Sequence, residues 1–460
     1  MNRPSLAIIA LATFPMAACQ SYSSDSNNRI MAAQATIPPV WNTVIDVPAT
    51  SEWSDVFNDA QLQTYLNTAQ SQNFTLKLAE TQYARAMAAV ARAESGLAPR
   101  ATYSGGAGIN APLDDIGDAS EALNLGLSGS FDPDLFGLNK ANVAQAEAAR
   151  IAALADLETT RQNVNASVVR AYYAAIEADL LLNLAERNLD FQKATFNIAK
   201  IRFENGATAR DSFVLAESEL QTALGSLELQ AATARDTRRA LSELLGNFPD
   251  AALLTGDSLD IPLTLPDRRL PASMLASLPE IRANAADIEA AYISQWRTAR
   301  ENWPGITLSG SLRGNTDDIG DLFDPASFVA SLASSLFGTL FDGGLNAANR
   351  ADAEAVLNAA ILRYGQSLRA ATLDIESAYD RAAALQQALV YSQAASVAAN
   401  EALQIERIKY EAGDSQLLDV LTIQRRVNSI DAALIRTKGD LIDITVEAFR
   451  VTGVALNDAI

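Results

Sequence analysis

The chain has 460 residues, 49% of them hydrophobic, which suits two or three domains with a sizeable core. Its formal net charge of -20 argues against a nucleic-acid or anionic-lipid surface, since both need an excess of Lys and Arg. The sequence contains no histidine and one cysteine, Cys19. These counts exclude catalytic and metal sites that depend on His, and any disulfide within the chain.

The first twenty residues, MNRPSLAIIALATFPMAACQ, have the order of an export signal. An early arginine precedes an apolar run at 6–14, too short to span a bilayer, and small residues follow. Residues 16–19 (MAAC) resemble the bacterial lipoprotein signal, although Met replaces its usual Leu. The resemblance implies a signal peptide at 1–18 and a lipid on Cys19 that anchors the chain. The alternative is ordinary cleavage after Ala18 with an unmodified cysteine.

A first structural unit is predicted at 54–246, after a polar, proline-containing segment at 19–53 that we expect to be extended. The 3.6-residue and two-residue periods of its apolar residues predict helices and strands respectively. These elements are a helix at about 56–97, strands at 102–111 and 122–131 joined by an acidic loop, a helix at about 139–204, and a return helix at about 211–245.

The second unit, 272–460, repeats this order after a Gly- and Pro-containing connector at 247–271. Its predicted elements are a helix at about 272–302, two alternating strands around 306–313 and 328–336, a helix at about 346–411, and a return helix ending near 452. A helix of about 65 residues is roughly 100 Å long at 1.5 Å per residue. A helix of that length is not expected in a single globular domain.

The phrases KIRFENGATARDSFV (200–214) and RIKYEAGDSQLLDVL (407–421) show that the two units are a duplication. Gly206 and Gly413 differ by 413 - 206 = 207 positions, and Ala171-Tyr172 and Ala378-Tyr379 share this offset. The strands of the second unit follow those of the first at an offset of 205 positions. The second unit therefore contains two extra residues near Gly343-Gly344, between its strands and its long helix. A repeat of about 200 residues is far longer than a solenoid period.

The four strands have the length and alternation of membrane-spanning β-strands. Four strands are too few to close a barrel, and an open sheet in lipid leaves its edge amides unsatisfied. Several chains therefore have to pool their strands. The alternative is a small soluble sheet with one wet face.

The chain from about residue 53 to 454 resembles the TolC-like outer-membrane efflux factors, in particular the lipoprotein branch that serves resistance-nodulation-division pumps. The matching segments are FDPDLFG (131–137), LFDGGLNAANRADAEA (340–355) and YEAGDSQLLDVLTIQ (410–424). The resemblance implies a mainly α fold with a membrane β-barrel portion: a homotrimer with a twelve-stranded barrel, four strands from each chain, and long helical hairpins forming a periplasmic α-barrel.

The resemblance also assigns roles at the hairpin tips. Gly206 and Gly413 are expected to end the long helices, with Thr208, Asp211, Asp414 or Ser415 capping the returning ones. Asp419, with Asp414, falls where the family narrows its periplasmic aperture, and three copies of such a carboxylate attract cations. The alternative is that Asp419 is an ordinary solvated helix residue.

Tyr410 matches a tyrosine of the family's closing network, but the arginine that some members carry near Ser415 is missing. We therefore expect a different latch, with Arg407 and Arg425 as candidates.

The function implied is a passive exit duct in the bacterial outer membrane, served by a periplasmic membrane-fusion adaptor and an inner-membrane pump. We expect no enzymatic activity, no metal, and no cofactor apart from the lipid on Cys19. No GxxxxGK phosphate loop occurs in the sequence. Two alternatives stay open: the duct of an ATP-driven type I protein secretion system, and a structural coiled-coil surface lipoprotein. The coiled-coil alternative predicts no alternating strands.

Overall fold

The computed structural model describes residues 23–35, 37–42, 48–50, 53, 56–110 and 120–454, so Cys19 and the acidic loop at 111–119 lie outside it. The helices are α1 Ser23–Gln34, α2 Ala60–Gln72, α3 Phe74–Glu94, α4 Leu138–Glu204, α5 Arg210–Leu244, α6 Pro271–Ser277, α7 Pro279–Thr298, α8 Leu345–Ala412 and α9 Leu417–Thr452. The strands are β1 Ala49–Thr50, β2 Arg100–Asn110, β3 Ser120–Phe131, β4 Leu265–Pro266, β5 Gly305–Thr316 and β6 Phe328–Phe337.

The two long helices confirm the duplication. Helix α4 has 67 residues and α8 has 68, and they begin at Leu138 and Leu345, which are 345 - 138 = 207 positions apart. The return helices α5 and α9 begin at Arg210 and Leu417, again 207 positions apart. At 1.5 Å per residue each long helix extends for roughly 100 Å, as predicted.

Two predicted helices are each divided in the structure. The helix expected at 56–97 is broken at Asn73, whose extended backbone ends α2 and whose side-chain oxygen accepts from the N–H of Leu76 to start α3. The helix expected at 272–302 is broken at Leu278, because the residue before Pro279 is pushed out of the helical conformation. Neither break was predicted, because the sequence has a strong helical pattern on both sides of each one.

The N-terminal segment, expected to be extended, contains helix α1. This helix lies against the second repeat, where Ile30 packs into the core around α8 and the Gln34 amide donates to the hydroxyl of Tyr364 at 2.9 Å. Farther along, β1 pairs in parallel with β4 of the connector. The expectation was wrong because α1 gains its apolar contacts from a distant part of the chain.

The remaining strands form one antiparallel sheet in the order β2-β3-β5-β6. Its register pairs Tyr103 with Leu127 and Leu127 with Leu312, and directly paired residues project from the same face. The alternation then collects large apolar side chains on that face, among them Ile109, Leu123, Leu125, Leu308, Leu332 and Leu336. The predicted strands and their two unlike faces are confirmed, which excludes the coiled-coil alternative.

Two large buried cores are built on the long helices, one on α4 and one on α8, and α9 contributes side chains to both. Tyr172 of α4 is fully buried in the first core, and its repeat mate Tyr379 of α8 is buried in the second. The hydroxyl of Tyr172 donates to Asp59 at 2.6 Å, and that of Tyr379 donates to the Pro266 carbonyl at the same distance. Among the described helices, none is long and apolar enough to cross a bilayer.

Candidate functional site at the hairpin tips

The tip of the first hairpin, between α4 and α5, turns at Gly206. This residue has φ +70°, and the N–H of Ala207 reaches back to the carbonyl of Arg202 at 2.7 Å. The geometry is a left-handed helix end that favours glycine. The cap of α5 is Ala209, without a side-chain hydrogen bond, so the expectation that Thr208 or Asp211 caps this helix is wrong.

The tip of the second hairpin, between α8 and α9, turns at Gly413, with φ +89°. The N–H of Asp414 donates to the carbonyl of Lys409 at 2.8 Å, which ends α8 in the same manner. Both predicted tip glycines therefore occupy left-handed positions.

Asp419 belongs to a capping box at the start of α9. Gln416 is the N-cap: its backbone carbonyl accepts from the N–H of Asp419 at 3.1 Å, and the Asp419 carboxylate accepts from the N–H of Gln416 at 3.4 Å. The prediction that Asp414 or Ser415 caps α9 is therefore wrong. Asp414 and Asp419 are both exposed, so their charges face the surroundings of the tip.

Tyr410, in contrast, is buried in an apolar cluster that joins the two hairpins. Its neighbours in the cluster come from α4, α5 and α9: Ala199, Ala216, Leu417, Val420 and Leu421. The guanidinium of Arg202 lies 4.4 Å from the centre of the Tyr410 ring and donates to the Tyr410 carbonyl at 3.1 Å. Such a cation–π contact is worth about 0.5–2 kcal/mol.

Sequence reasoning missed Arg202. The available signal was the repeat itself, because Arg202 stands where the second copy has Lys409 (409 - 202 = 207), one position before Tyr410. The two residues named as latch candidates lie elsewhere. The guanidinium of Arg407 lies 5.6 Å from the ring of Phe191 on α4, and Arg425 donates within its own helix to the Leu421 carbonyl at 3.4 Å.

A polar cleft of about 410 Å³ separates α4 from α8 above this apolar cluster, with α9 alongside. Asn428 of α9 donates to Asn188 of α4 and accepts from Gln424 at 3.1 Å. Beyond them, Asp431 accepts from Ser396 and Asn400 of α8 at 2.6 and 3.3 Å. The bond between Asn428 and Asn188 therefore ties the two hairpins together, whereas the bonds to Asp431 hold α8 against α9 within the second hairpin.

A charged cluster joins α4 and α9 farther from the tips. Glu447 accepts from Arg450 and from Arg170, each at 2.5 Å, and these hydrogen bonds lower the pKa of Glu447 to about 2. Burial instead raises the pKa of Glu177 and of Asp443. Within the described residues, no group of three or more His, Cys, Asp or Glu is placed to hold a metal ion.

Curated relatives cover most of the chain. Nodulation protein T of Rhizobium leguminosarum bv. trifolii is 28% identical over 400 residues, which are 84% of this chain and 83% of that protein. The outer membrane protein OprJ of Pseudomonas aeruginosa is 28% identical over 438 residues, covering 88% of this chain and 86% of OprJ.

Among solved structures, the open state of the MtrE outer membrane channel of Neisseria gonorrhoeae shares this fold. It superposes with a TM-score of 0.81 at 24% identity, over 92% of this chain and 95% of MtrE. The family model for outer membrane efflux proteins matches residues 65–247 and 270–453, once over each repeat. With its two long hairpins, its four-stranded sheet and this double match, the chain belongs to the outer membrane efflux protein family and is a TolC-like channel protein of the outer membrane.

Proposed function

We propose that three copies of this chain form the exit duct of a tripartite efflux system. The duct passively conducts small molecules that an inner-membrane pump, of the resistance-nodulation-division type, delivers through a periplasmic membrane-fusion adaptor. One observation carries the proposal: within the described residues, α8 is the last long helix of the row and β6 is the last strand of the sheet, and outside the row only the short helices α1 and α6 cover part of α8.

The order of the helices shows this open side. In the half near the sheet, contacts run from α3 to α4, from α4 to α7 and from α7 to α8. In the half near the tips, they run from α5 to α4, from α4 to α9 and from α9 to α8. Helix α8 therefore ends the row in both halves, while the opposite end is α3 in one half and α5 in the other.

The exposed surface of α8 is suited to helix packing. Leu362, Leu373, Tyr391 and Ile405 are 73%, 65%, 67% and 48% exposed. They are separated by 11, 18 and 14 residues, close to three, five and four turns of about 3.6 residues, so they lie along one line. At the opposite end of the row, Phe74 and Leu78 of α3 are 69% and 66% exposed and one turn apart.

In a ring of identical chains, the exposed α8 of one copy packs against the exposed α3 and α5 of the next copy. Placing its α3 and α5 against α8 also brings its β2 edge towards the β6 edge of the first copy, because β2 and β6 are the outer strands of the sheet. This contact is head to tail, and such contacts close into rings when the rotation permits. Three copies give twelve strands and six hairpins, with the apolar face of the sheet towards lipid.

The periplasmic end of the duct is proposed to be the ring of hairpin tips. Three exposed Asp419 carboxylates, with Asp414 beside them, then surround the aperture and attract cations. The contact of Arg202 with Tyr410 is proposed as the latch that holds the second hairpin to the first. Its position between the two hairpins of one protomer supports this role.

The anchor and the domain limits belong to the same proposal. Residues 1–18 act as the signal peptide and Cys19 carries the lipid. Residues 54–246 and 272–460 are the two structural units joined by 247–271, and the double family match supports this division.

A planar-bilayer recording tests the duct with a matched pair of variants. Purified protein is expected to give stepwise ion currents. Leu332→Arg, on the apolar face of β6, is expected to abolish insertion, since a lipid-facing Arg costs about 2–4 kcal/mol at the bilayer midplane. Ser331→Arg, one position away on the polar face, is expected to insert and conduct. Absence of current from the wild type, or equal behaviour of the two variants, contradicts the proposal.

A further inference from the structure

The polar face of the sheet is nearly free of charge. It is built from small side chains, among them Thr102, Ser104, Asn124, Ser128, Ser130, Thr307, Ser309, Ser311, Asn315, Ser331 and Ser335. In the described strands two charged residues share this face. Arg100 is the first residue of β2, at the end next to the helices, whereas Arg313 lies within β5, towards the loops at the far end of the sheet.

Arg313 is unshielded on this face. Its cross-strand partners are Gly126 on β3, which has no side chain, and Val329 on β6. A cavity of about 610 Å³ in front of it is lined by residues of β3, β5 and β6, including Ser128, Ser311 and Ser331. Arg313 is exposed, and within the described residues it forms none of the ion pairs.

We propose that Arg313 sets the charge preference of the outer part of the duct, by forming a ring of three guanidinium groups that draws anionic solutes into the barrel. This inference rests on the proposed function, because it needs three copies with the polar face lining the lumen. Symmetry then places the three Arg313 side chains at one height. Rings of Arg or Lys act in this way in anion-conducting pores.

The proposed Arg313 ring lies far from the aperture, so its effect on ion selectivity can be measured separately from that of the aperture carboxylates. Among the strand residues that are described, Arg313 is the one charge on the polar face away from the helix end. The carboxylates proposed for the aperture lie beyond the long helices, roughly 100 Å away at 1.5 Å per residue. A Debye length is about 10 Å at 0.1 M salt and about 30 Å at 0.01 M, so the two rings act independently.

The test is the reversal potential of the purified channel in a planar bilayer under a KCl gradient. Arg313→Gln is expected to raise the permeability of K⁺ relative to Cl⁻ by about twofold or more in dilute salt, with a smaller change at 1 M because salt screens the ring. Arg313→Lys is expected to behave as the wild type. Ser311→Gln controls for side-chain bulk on the same face and is expected to leave the ratio unchanged.

A labelling experiment tests the placement of Arg313 without requiring an open aperture. In intact cells, Arg313→Cys is expected to react with a water-soluble methanethiosulfonate, whereas Leu312→Cys on the apolar face is expected not to react. An unreactive Arg313→Cys overturns the inference. An unchanged permeability ratio in Arg313→Gln also overturns it while leaving the duct intact, whereas a wild type without current contradicts the duct itself.

Discussion

The carboxylate of Asp419 caps helix α9 and, in the proposed trimer, also supplies charge at the aperture. The two roles depend on different properties of the side chain. The cap needs an oxygen that accepts from the N–H of Gln416, whereas the aperture needs a negative charge. Replacement by Ala removes both and costs cap energy, about 0.5–2 kcal/mol. Replacement by Asn keeps an acceptor oxygen and removes the charge alone.

Asp419→Asn is therefore expected to weaken the block of channel current by a trivalent cation such as hexamminecobalt. The cation concentration that blocks half of the current is expected to rise about fivefold or more. This ratio corresponds to the ~1 kcal/mol of one close charge contact in water. The Asp414→Asn, Asp419→Asn double variant is expected to weaken it further. The measurement is a titration of single-channel current.

The control for this titration is Asp317→Asn, in the exposed loop at the far end of the sheet. It is expected to leave the block unchanged, since salt screens a charge at that distance. If the double variant and the wild type are blocked alike, these aspartates are caps and solvated side chains, and the aperture lies elsewhere.

Glu447 gives a pH-dependent contribution to stability. Its pKa is lowered from 4.5 to about 2 in the folded protein, so the contribution is complete above pH 4.5 and is lost as the pH falls towards 2. Glu447→Gln is expected to destabilise the protein at pH 7 by about 1.5–3 kcal/mol, the range for a hydrogen bond to a charged group. The apparent melting temperature, measured by circular dichroism, reports this loss of stability.

The melting difference between Glu447→Gln and the wild type is expected to shrink when both are measured at pH 3. Glu243→Gln, at an exposed position, is the matched control and is expected to melt as the wild type at both pH values. A difference that persists unchanged at pH 3 shows that Glu447 acts through packing instead of charge.

Cys19 is predicted to be the acylated first residue of the mature protein. Cys19→Ala is expected to abolish incorporation of a radioactive fatty acid and to leave the signal peptide uncleaved by the lipoprotein route. Acyl chains contribute membrane affinity of about 0.8 kcal/mol per buried methylene, so more than one chain holds the N-terminus firmly. Labelling of the variant at the wild-type level shows that the lipid assignment is wrong.

The ends of the helices differ in how tightly their glycines are surrounded. Gly246, just after α5, has φ +82°, and a Cβ placed there lies 2.5 Å from the carbonyl oxygen of Gln72. Gly413 has φ +89°, but a Cβ there meets open space. Both substitutions by Ala bear the cost of a left-handed residue, about 1–2 kcal/mol.

Gly246→Ala is therefore expected to lower the apparent melting temperature clearly more than Gly413→Ala. The extra cost is the backbone shift needed to relieve the overlap with Gln72, about 1–3 kcal/mol. Gly206→Ala, at a second open turn, should match Gly413→Ala. Equal losses at Gly246 and Gly413 contradict the contact between α2 and the end of α5.

The sequence was sufficient to predict the elements whose signals are local. The long helices were predicted to within one residue of their ends, because apolar periodicity without proline continues up to a glycine at each tip. The break at Asn73 was not predictable in this way, since its side chain is held by a distant partner, the carbonyl of Leu244 at 2.7 Å. Helix α1 was missed for the same reason.

The candidate site shows the same limit. The turn at Gly413 and the position of Asp419 followed from a repeated phrase and a family resemblance. The contact of Arg202 with Tyr410 joins residues 208 positions apart, and the bond between Asn428 and Asn188 joins residues 240 apart. Side-chain contacts of this kind depend on how α4 is aligned with α8 and with α9, which no local pattern records.

At the scale of the whole molecule, the duplication and the proposed threefold assembly act together. Each chain supplies two similar hairpins, so three chains give a nearly sixfold ring of tips from one gene product. In the proposed trimer the chain's net charge of -20 is multiplied by three, and a high net charge favours solubility. The exposed apolar line on α8 and the outer strands of the sheet are the features that the proposed partner chains cover.

The mass of the detergent-solubilised complex, measured by native mass spectrometry, tests the threefold duct most directly. The expected value is three chains, each close to the 49.0 kDa of the full sequence less any signal peptide and plus any lipid. The complex is also expected to show the far-ultraviolet signature of both helices and strands. A stable monomer that retains the full strand signature contradicts the account, because its four strands then need no neighbours.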